Sequence, residues 1–281
     1  GAHENPVSSH ESWIFIFGGQ MRQLSPGRMT DLAILNLTGS TITYEDDFAI
    51  VRTPANPNYH WGNSIMVLDP AAVNDARRWV ELFRANFPLA DWISIDLPLM
   101  PTDVVGWSEL GLQLEQLDVM TSKSTPKKTA LAEGYAVRSF TADDWNDLIA
   151  AELQENLSSG DYEPVSHEKF VRQTNDARKA LCATGKAAWF GAIRNGELVS
   201  SLGIVKCGST ARYQAVATDE NHRRLGLASH LLGVAAQWSI DQGCDNWVIA
   251  TEENNSAASV YRRAGFVPAE PSFSAYKKPQ L

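Results

Sequence analysis

The stretch ATDENHRRLGLASHLL, residues 217–232, sets Arg223 and Arg224 just ahead of Gly226 and then runs into an apolar helical pattern. Such an arrangement can hold an anion. The first turn of a helix carries four backbone N–H groups without intrahelical partners and about half a positive charge, and a glycine at the turn lets phosphate oxygens approach those amides. Arg223 and Arg224 can add charge-assisted contacts, and the small Ala228 and Ser229 leave the first turn unobstructed. Leu225 and Leu227 complete the loop. The alternative is an ordinary turn whose arginines are solvated or paired with Asp219 and Glu220.

The elements that position this loop can be read around it. Ala228, Leu231, Leu232 and Ala235 recur at i, i+3, i+4 and i+7, which seats a helix on a core, and Gly243 stands where that helix should end. Upstream, YAVRSF (135–140) reads as extended, 143–156 and 166–183 as helical, and Asn195-Gly196 as a hairpin turn inside AAWFGAIRNGELVSSLGIVKCG. TARYQAVAT and NWVIAT (246–251) are strands on either side of the loop helix. A short helix at about 256 to 263 and a hairpin-like FVPAEPSFSAYKK follow. TSKSTPKKTALAEG (121–134) has linker composition and divides the chain into two halves.

The 281 residues are 44% hydrophobic, enough for a sizeable core, and carry a formal net charge of −9. That charge opposes non-specific binding to nucleic acid and permits a cationic substrate. No run of about 18 apolar residues offers a membrane span, and the start GAHENPVSSHESW lacks the order of a signal peptide. A soluble, cytoplasmic protein without a membrane partner is expected, its first ten or so residues a flexible tail. The Asn36-Leu-Thr38 and Asn156-Leu-Ser158 acceptor patterns carry no weight without a secretion signal. Cys182, Cys207 and Cys244 show no zinc spacing, so no metal is expected and buried thiols are.

The halves share short motifs. WSELGL (107–112) has the spacing of YRRAGF (261–266), DWISID (91–96) resembles DNWVIATE (245–252), and MVLDPAAV (66–73) parallels AVATDENH (215–222). Asp69 precedes Trp92 by 23 residues and Asp219 precedes Trp247 by 28. The spacing therefore predicts a duplication whose first copy is about five residues short near HRRLG and lacks the anion loop.

VATDENHRRLGLASHLL resembles the acyl-CoA-binding signature of the GNAT superfamily of N-acyltransferases, a strand ending Val-x-x followed by Arg/Gln-x-x-Gly-x-Gly/Ala and a long helix. Arg223, Gly226 and Ala228 take the three defining positions. NNSAASVYRRAGF resembles the family's second signature, with Asn254, Ala257, Tyr261, Gly265 and Phe266 in register. The resemblance covers roughly 133–281, and reaches the first half only through the repeat. It implies an α/β (α+β) fold with a mixed, mostly antiparallel central sheet flanked by helices. It further implies a tandem arrangement: a degenerate GNAT-like domain at 12–120, a linker at 121–134 and an N-acetyltransferase domain at 135–281.

The activity so implied is transfer of an acetyl group from acetyl-CoA, as cosubstrate, to a primary amine of a small-molecule or peptide acceptor by direct attack in a ternary complex, without a metal. The backbone of Val216, Ala217 and Thr218 would then meet the pantetheine arm and the thioester carbonyl, and residues 223–229 the pyrophosphate. Asn254 would contact the pantetheine or cap the short helix. Tyr261 would protonate the departing thiolate, or merely pack in the core. Relatives often carry a carboxylate on the strand before the loop, where YQAVA offers Tyr213 and Gln214 and no acid. The base is thus open between Glu252, Glu253 and a water chain; nothing around Cys207 or Cys244 suggests a nucleophile. The missing acid also leaves a second reading, a non-catalytic acyl-CoA-binding sensor or interaction module. RTPANPNYHWGN (52–63) either lines the acceptor cleft or serves as packing.

Overall fold

In a computed structural model, which describes residues 14–17 and 20–280, a hairpin of β1 (Ile14–Phe17) and β2 (Gln20–Gln23) leads into α1 (Pro26–Leu37). The tail expected at the first ten residues lies outside the described residues. Ser25 accepts the Arg28 amide and Pro26 presets the first turn, which is why α1 starts there. Strands β3 (Thr41–Tyr44), β4 (Phe48–Arg52) and β5 (Ser64–Val67) follow. Helix α2 (Ala76–Asn86) crosses to β6 (Ile93–Leu97), and α3 (Val104–Ser108) precedes β7 (Gln113–Ser122).

The second half opens with β8 (Ala136–Ser139), α4 (Ala142–Ser159) and α5 (Pro164–Ala183), the two expected helices. Thr141 and Asp144 close a capping box at the start of α4, and Gly160 ends it at φ 68°. Strands β9 (Ala187–Arg194) and β10 (Glu197–Cys207) meet at Asn195 and Gly196, whose φ values of 52° and 85° make the tight turn that their types promise. Then come β11 (Thr210–Thr218), α6 (Leu227–Asp241), β12 (Asn246–Glu252), α7 (Ala257–Ala264), β13 (Val267–Pro268) and β14 (Ser272–Lys277). Gly243, at φ 85°, follows the end of α6 as expected.

Strands β3 to β14 form one sheet in the order β3-β4-β5-β6-β14-β7-β12-β11-β10-β9-β8, with β13 also beside β7. The pairings are antiparallel except β5 with β6 and β11 with β12, each of which is bridged by a helix, α2 or α6. This is the mixed, mostly antiparallel sheet that was expected. At its centre the halves exchange strands. β7, which ends the first half, pairs with β12, while β14, which ends the chain, pairs with β6 as well as β7. The final segment is therefore not a hairpin: β13 and β14 both lie along β7, held between them by the Ala269 amide on the Val119 carbonyl at 2.8 Å. Pro268 and Pro271 flank the break and prevent a close return.

Opposite faces of the sheet carry different helices. Phe190 and Ala192 join the core under α6 and α7, whereas Trp189 packs with Trp145 of α4, Leu181 of α5 and Ile34 of α1. In the first half Trp79, Val80 and Phe83 of α2 bury against Ile93, Ile95 and Leu97. The stretch 121–134 begins inside β7 and continues over α6. A side chain at Gly233 would meet the Lys128 backbone at 2.7 Å, and the His230 ring lies 2.7 Å from the Thr129 carbonyl. No described helix is long and apolar enough to cross a membrane, and no described cluster of His, Cys, Asp or Glu is arranged to hold a metal.

A polar chain ties the halves together under α1. Arg212 of β11 donates to the Gly27 carbonyl, the Thr30 hydroxyl and Asp31, the last two at 2.7 and 3.0 Å. Arg28 lies 3.5 Å from Asp31 and 2.6 Å from Asp96 of β6. Burial pushes the Asp96 carboxyl up to about 6 against the opposing pull of Arg28.

Candidate active site

The site is made by a divergence between two parallel strands. β11 and β12 pair only at Thr210–Arg212 with Asn246–Val248, yet β11 runs on to Thr218 and β12 to Glu252. β12 is held away by β7, to which it pairs as far as Glu252 with Leu117. β11 bends away through a bulge, where the pairing to β10 slips between Ser201 and Gly203 and Ala215 takes φ 48°. Val216, Ala217 and Thr218 follow the bulge and present one strand edge to the gap. The Ala217 carbonyl accepts the Ser200 hydroxyl at 3.0 Å, and the Thr218 hydroxyl lies 2.8 Å from it.

A short turn at 220–222 then delivers the chain to α6. Asp219 caps it by accepting the Asn221 amide at 2.9 Å. Neither Asp219 nor Glu220 forms an ion pair with Arg223 or Arg224 among the described residues. Arg223 turns its Nε back to the Thr218 carbonyl at 3.2 Å, and both arginines are exposed. Arg224 and Gly226 stand at φ 62° and 77°, a left-handed conformation that favours glycine. Gly226 is the N-cap of α6 and supplies no side-chain acceptor, so the amides of Leu227, Ala228 and Ser229 stay available toward the gap.

Two expected details differ. The Leu227 side chain is buried in the core at 2% exposure, so only its backbone can meet a ligand. The packed face of α6 therefore begins at Leu227 and continues through Leu231, Leu232 and Ala235, with Ala228 half-buried beside it. Leu225 is 45% exposed. Asn254 does not cap α7: Ser256 is the N-cap, and Asn255 accepts the Ala257 amide at 2.8 Å. Asn254 instead turns the chain at φ 58°, its amide on Asp118 at 3.3 Å, which leaves its side chain at the end of β12 without a described partner.

Tyr261 on α7 is buried at 4% exposure and packs edge-on to Phe266. Its hydroxyl has no protein hydrogen bond among the described residues, and burial pushes its pKa up to about 12. Tyr213 is occupied instead: its hydroxyl donates to the Leu232 carbonyl at 2.6 Å. Glu252 and Glu253 are exposed at the end of β12. Glu115, on β7, was not anticipated; burial raises its pKa, Lys278 opposes the rise and Glu252 adds to it. Its position beside Glu252 depends on the strand exchange, and no local motif marks it. The cysteines are free thiols, Cys244 buried and the other two only partly so; burial pushes Cys182 and Cys207 up to about 11 and 12, away from nucleophilic thiolate.

On the α4/α5 side, beyond the end of β12, lies a cavity of about 180 Å³. Tyr59, His60 and Trp61 from the 52–63 stretch line it with Trp92, Tyr162 and Tyr276. That stretch therefore both packs, through Tyr59 on Phe170, and lines a cavity.

Residues 149–266 match the acetyltransferase (GNAT) family. No curated protein matches. Among solved structures, a GCN5-related N-acetyltransferase from Kribbella flavida superposes at TM-score 0.62 with 16% identity, over 90% of this chain and 96% of that one. A functionally unknown conserved protein from Staphylococcus epidermidis gives the same TM-score, 0.62, at 15% identity over 86% and 95%. A tandem GNAT protein from the clavulanic acid biosynthesis pathway gives 0.54 at 14% over 86% and 84%. These likenesses establish the fold. Residues 149–266 thus resemble the GNAT acetyltransferases in sequence, and the chain shares their fold.

Proposed function

We propose that the chain transfers an acetyl group from acetyl-CoA to a primary amine, in a ternary complex and without a covalent enzyme intermediate. The observation that carries this reading is the gap between β11 and β12, open beside a helix terminus with no capping side chain. The amides of Leu227, Ala228 and Ser229, with Arg223, Arg224 and the exposed Leu225 around Gly226, fit a pyrophosphate. The edge of Val216, Ala217 and Thr218 and the side chain of Asn254 fit the pantetheine arm, with a backbone N–H on that edge available to a developing oxyanion.

Direct attack needs a neutral amine and a proton for the departing thiolate. Tyr261 holds that proton at neutral pH, since its pKa lies well above the thiol reference of about 8.5. For the base, Glu115 joins Glu252 and Glu253, and burial raises its pKa toward the range of a working base. We also propose that residues 12–120 are a degenerate copy of the same fold, with 121–134 as connector and 135–281 as the acyltransferase domain. The test is thiol release from acetyl-CoA across a panel of primary amines. Turnover with any amine is expected; acetyl-CoA binding without turnover selects the sensor reading.

A further inference from the structure

The cavity beyond β12 is an aromatic box built by both halves. His60 stacks on Trp92 at 4.3 Å and 19° and meets the Tyr162 ring edge-on at 5.8 Å. Its Nδ1 lies 2.8 Å from the Tyr276 hydroxyl. The indole N–H of Trp92, on a residue 9% exposed, has no acceptor among the described residues. Aromatic faces attract cations through their quadrupoles, and this cluster already holds one at its rim: the Lys278 ammonium stands 5.3 Å over the Tyr162 ring. That charge is cancelled by Asp161 at 3.0 Å.

Two further carboxylates line the cavity, Asp91 and Glu163, and neither forms a close ion pair among the described residues, Lys169 acting on Glu163 only at longer range. Glu163 is held anionic by the Val165 and Ser166 amides that it caps. Burial pushes His60 down to about 4, so it contributes no positive charge at neutral pH. The interior is thus aromatic under a rim on which Asp91 is the carboxylate without a described partner, in a chain of net charge −9. Its 180 Å³ is close to the roughly 150 Å³ that accommodates a benzene ring.

The register places the cavity apart from the chemistry. Leu117 of β7 faces Glu252, whereas Tyr276 faces Gln113, four residues further along the same strand or roughly 13 Å. Taking the β11/β12 gap as the thioester site, on which this step rests, we propose that the cavity seats an organic cation about the size of one ring. That cation is the far end of the acceptor, a compound whose reacting amine lies roughly 10 Å or more away.

Benzylammonium and its neutral analogue benzyl alcohol, titrated against the full chain without CoA, read the cavity directly. The cation is expected to bind at least about tenfold more tightly, and Asp91→Asn and the wall change Tyr162→Leu to weaken it roughly three- to tenfold each. Equal affinities, or binding untouched by both variants, overturn the proposal. With acetyl-CoA present, diaminoalkanes of increasing length should gain kcat/KM as their span approaches 10 Å, and Asp91→Asn should raise KM at unchanged kcat. Turnover independent of length and of Asp91 overturns the acceptor assignment and leaves the acyltransferase reading intact. Selective benzylammonium binding with no thiol release for any amine overturns the acyltransferase reading and the acceptor assignment together, and leaves a cation-binding cavity.

Discussion

The two halves build the same junction and finish it with opposite charges. In each, a strand runs out past an aspartate, a short turn follows, and a helix leads to a parallel strand. Asp69 caps the first turn and Asp219 the second. The distance from cap to helix is nearly equal, 69 to 76 against 219 to 227. The shortfall expected near HRRLG is therefore not a missing loop; it falls mainly in the helix, where α2 has 11 residues and α6 has 15. What distinguishes the loops is the N-cap. Asp75 accepts the Arg78 amide and places its own carboxylate at the α2 terminus, whereas Gly226 places nothing at α6 and two exposed arginines precede it. A carboxylate there satisfies the helix dipole internally and repels phosphate; a glycine leaves both for a ligand.

The same contrast recurs at the next motif. Trp107 stands in WSELGL where Tyr261 stands in YRRAGF, and its indole N–H is spent on the Val73 carbonyl at 3.0 Å, while the Tyr261 hydroxyl has no described partner. At these two positions the first half's polar group is used inside the fold. The matching groups of the second half, the first amides of α6 and the Tyr261 hydroxyl, have no side-chain partner among the described residues.

Transplanting the first half's cap is the sharpest way to break this contrast. Gly226→Asp should weaken CoA binding roughly 100-fold, about 3 kcal/mol, measured by calorimetry, with one site per chain in the parent protein. An unchanged affinity removes the loop from the phosphate site, and two tight sites contradict the inertness of the first half. The next effect concerns Asp96, which falls where Thr251 stands in the second-half motif. Its pKa is raised from 3.8 to about 6 in the fold, so the native state holds more protons in that window and stability falls as pH rises through it. Relative to Asp96→Asn, the parent should lose up to about 3 kcal/mol between roughly pH 4 and 6 in denaturant titrations.

Tyr261→Phe should lower kcat by roughly 10- to 100-fold at near-constant CoA affinity. Steady-state kinetics on the variant decide it, since unaltered turnover leaves Tyr261 as packing, like Trp107. The smallest effect is expected at Asp75→Ala, about 1 kcal/mol of stability for the lost cap and no new CoA site. A second site appearing in that variant would mean that Asp75 alone silences the first half.

Much of this was legible because it depends on neighbours in sequence. The Asn195-Gly196 turn, the order of elements in the second half and the uncapped start of α6 all follow from types and spacings within one or two turns of chain. The terminal hairpin was misread because the Phe266–Lys278 pattern names two strands without naming their partner, and the partner is β7. Of the two readings of Asn254, pantetheine contact or helix cap, the cap falls to Ser256, since one or two residues of shift at a helix end leave the local pattern almost unchanged.

What the sequence determined by itself is a helix terminus left open to an anion, because the glycine, the arginines and the missing cap are neighbours along the chain. What the tertiary structure decided is everything that joins the halves: the exchange of β7 and β14, the placing of Glu115 beside Glu252, the Asp96–Arg28–Asp31–Arg212 chain, and the aromatic box. Its walls come from the Tyr59–Trp61 loop, Trp92, Tyr162 and Tyr276. Residues more than 200 positions apart have no common periodicity to betray them. Only the burial of two apolar sheet faces brings them to one place.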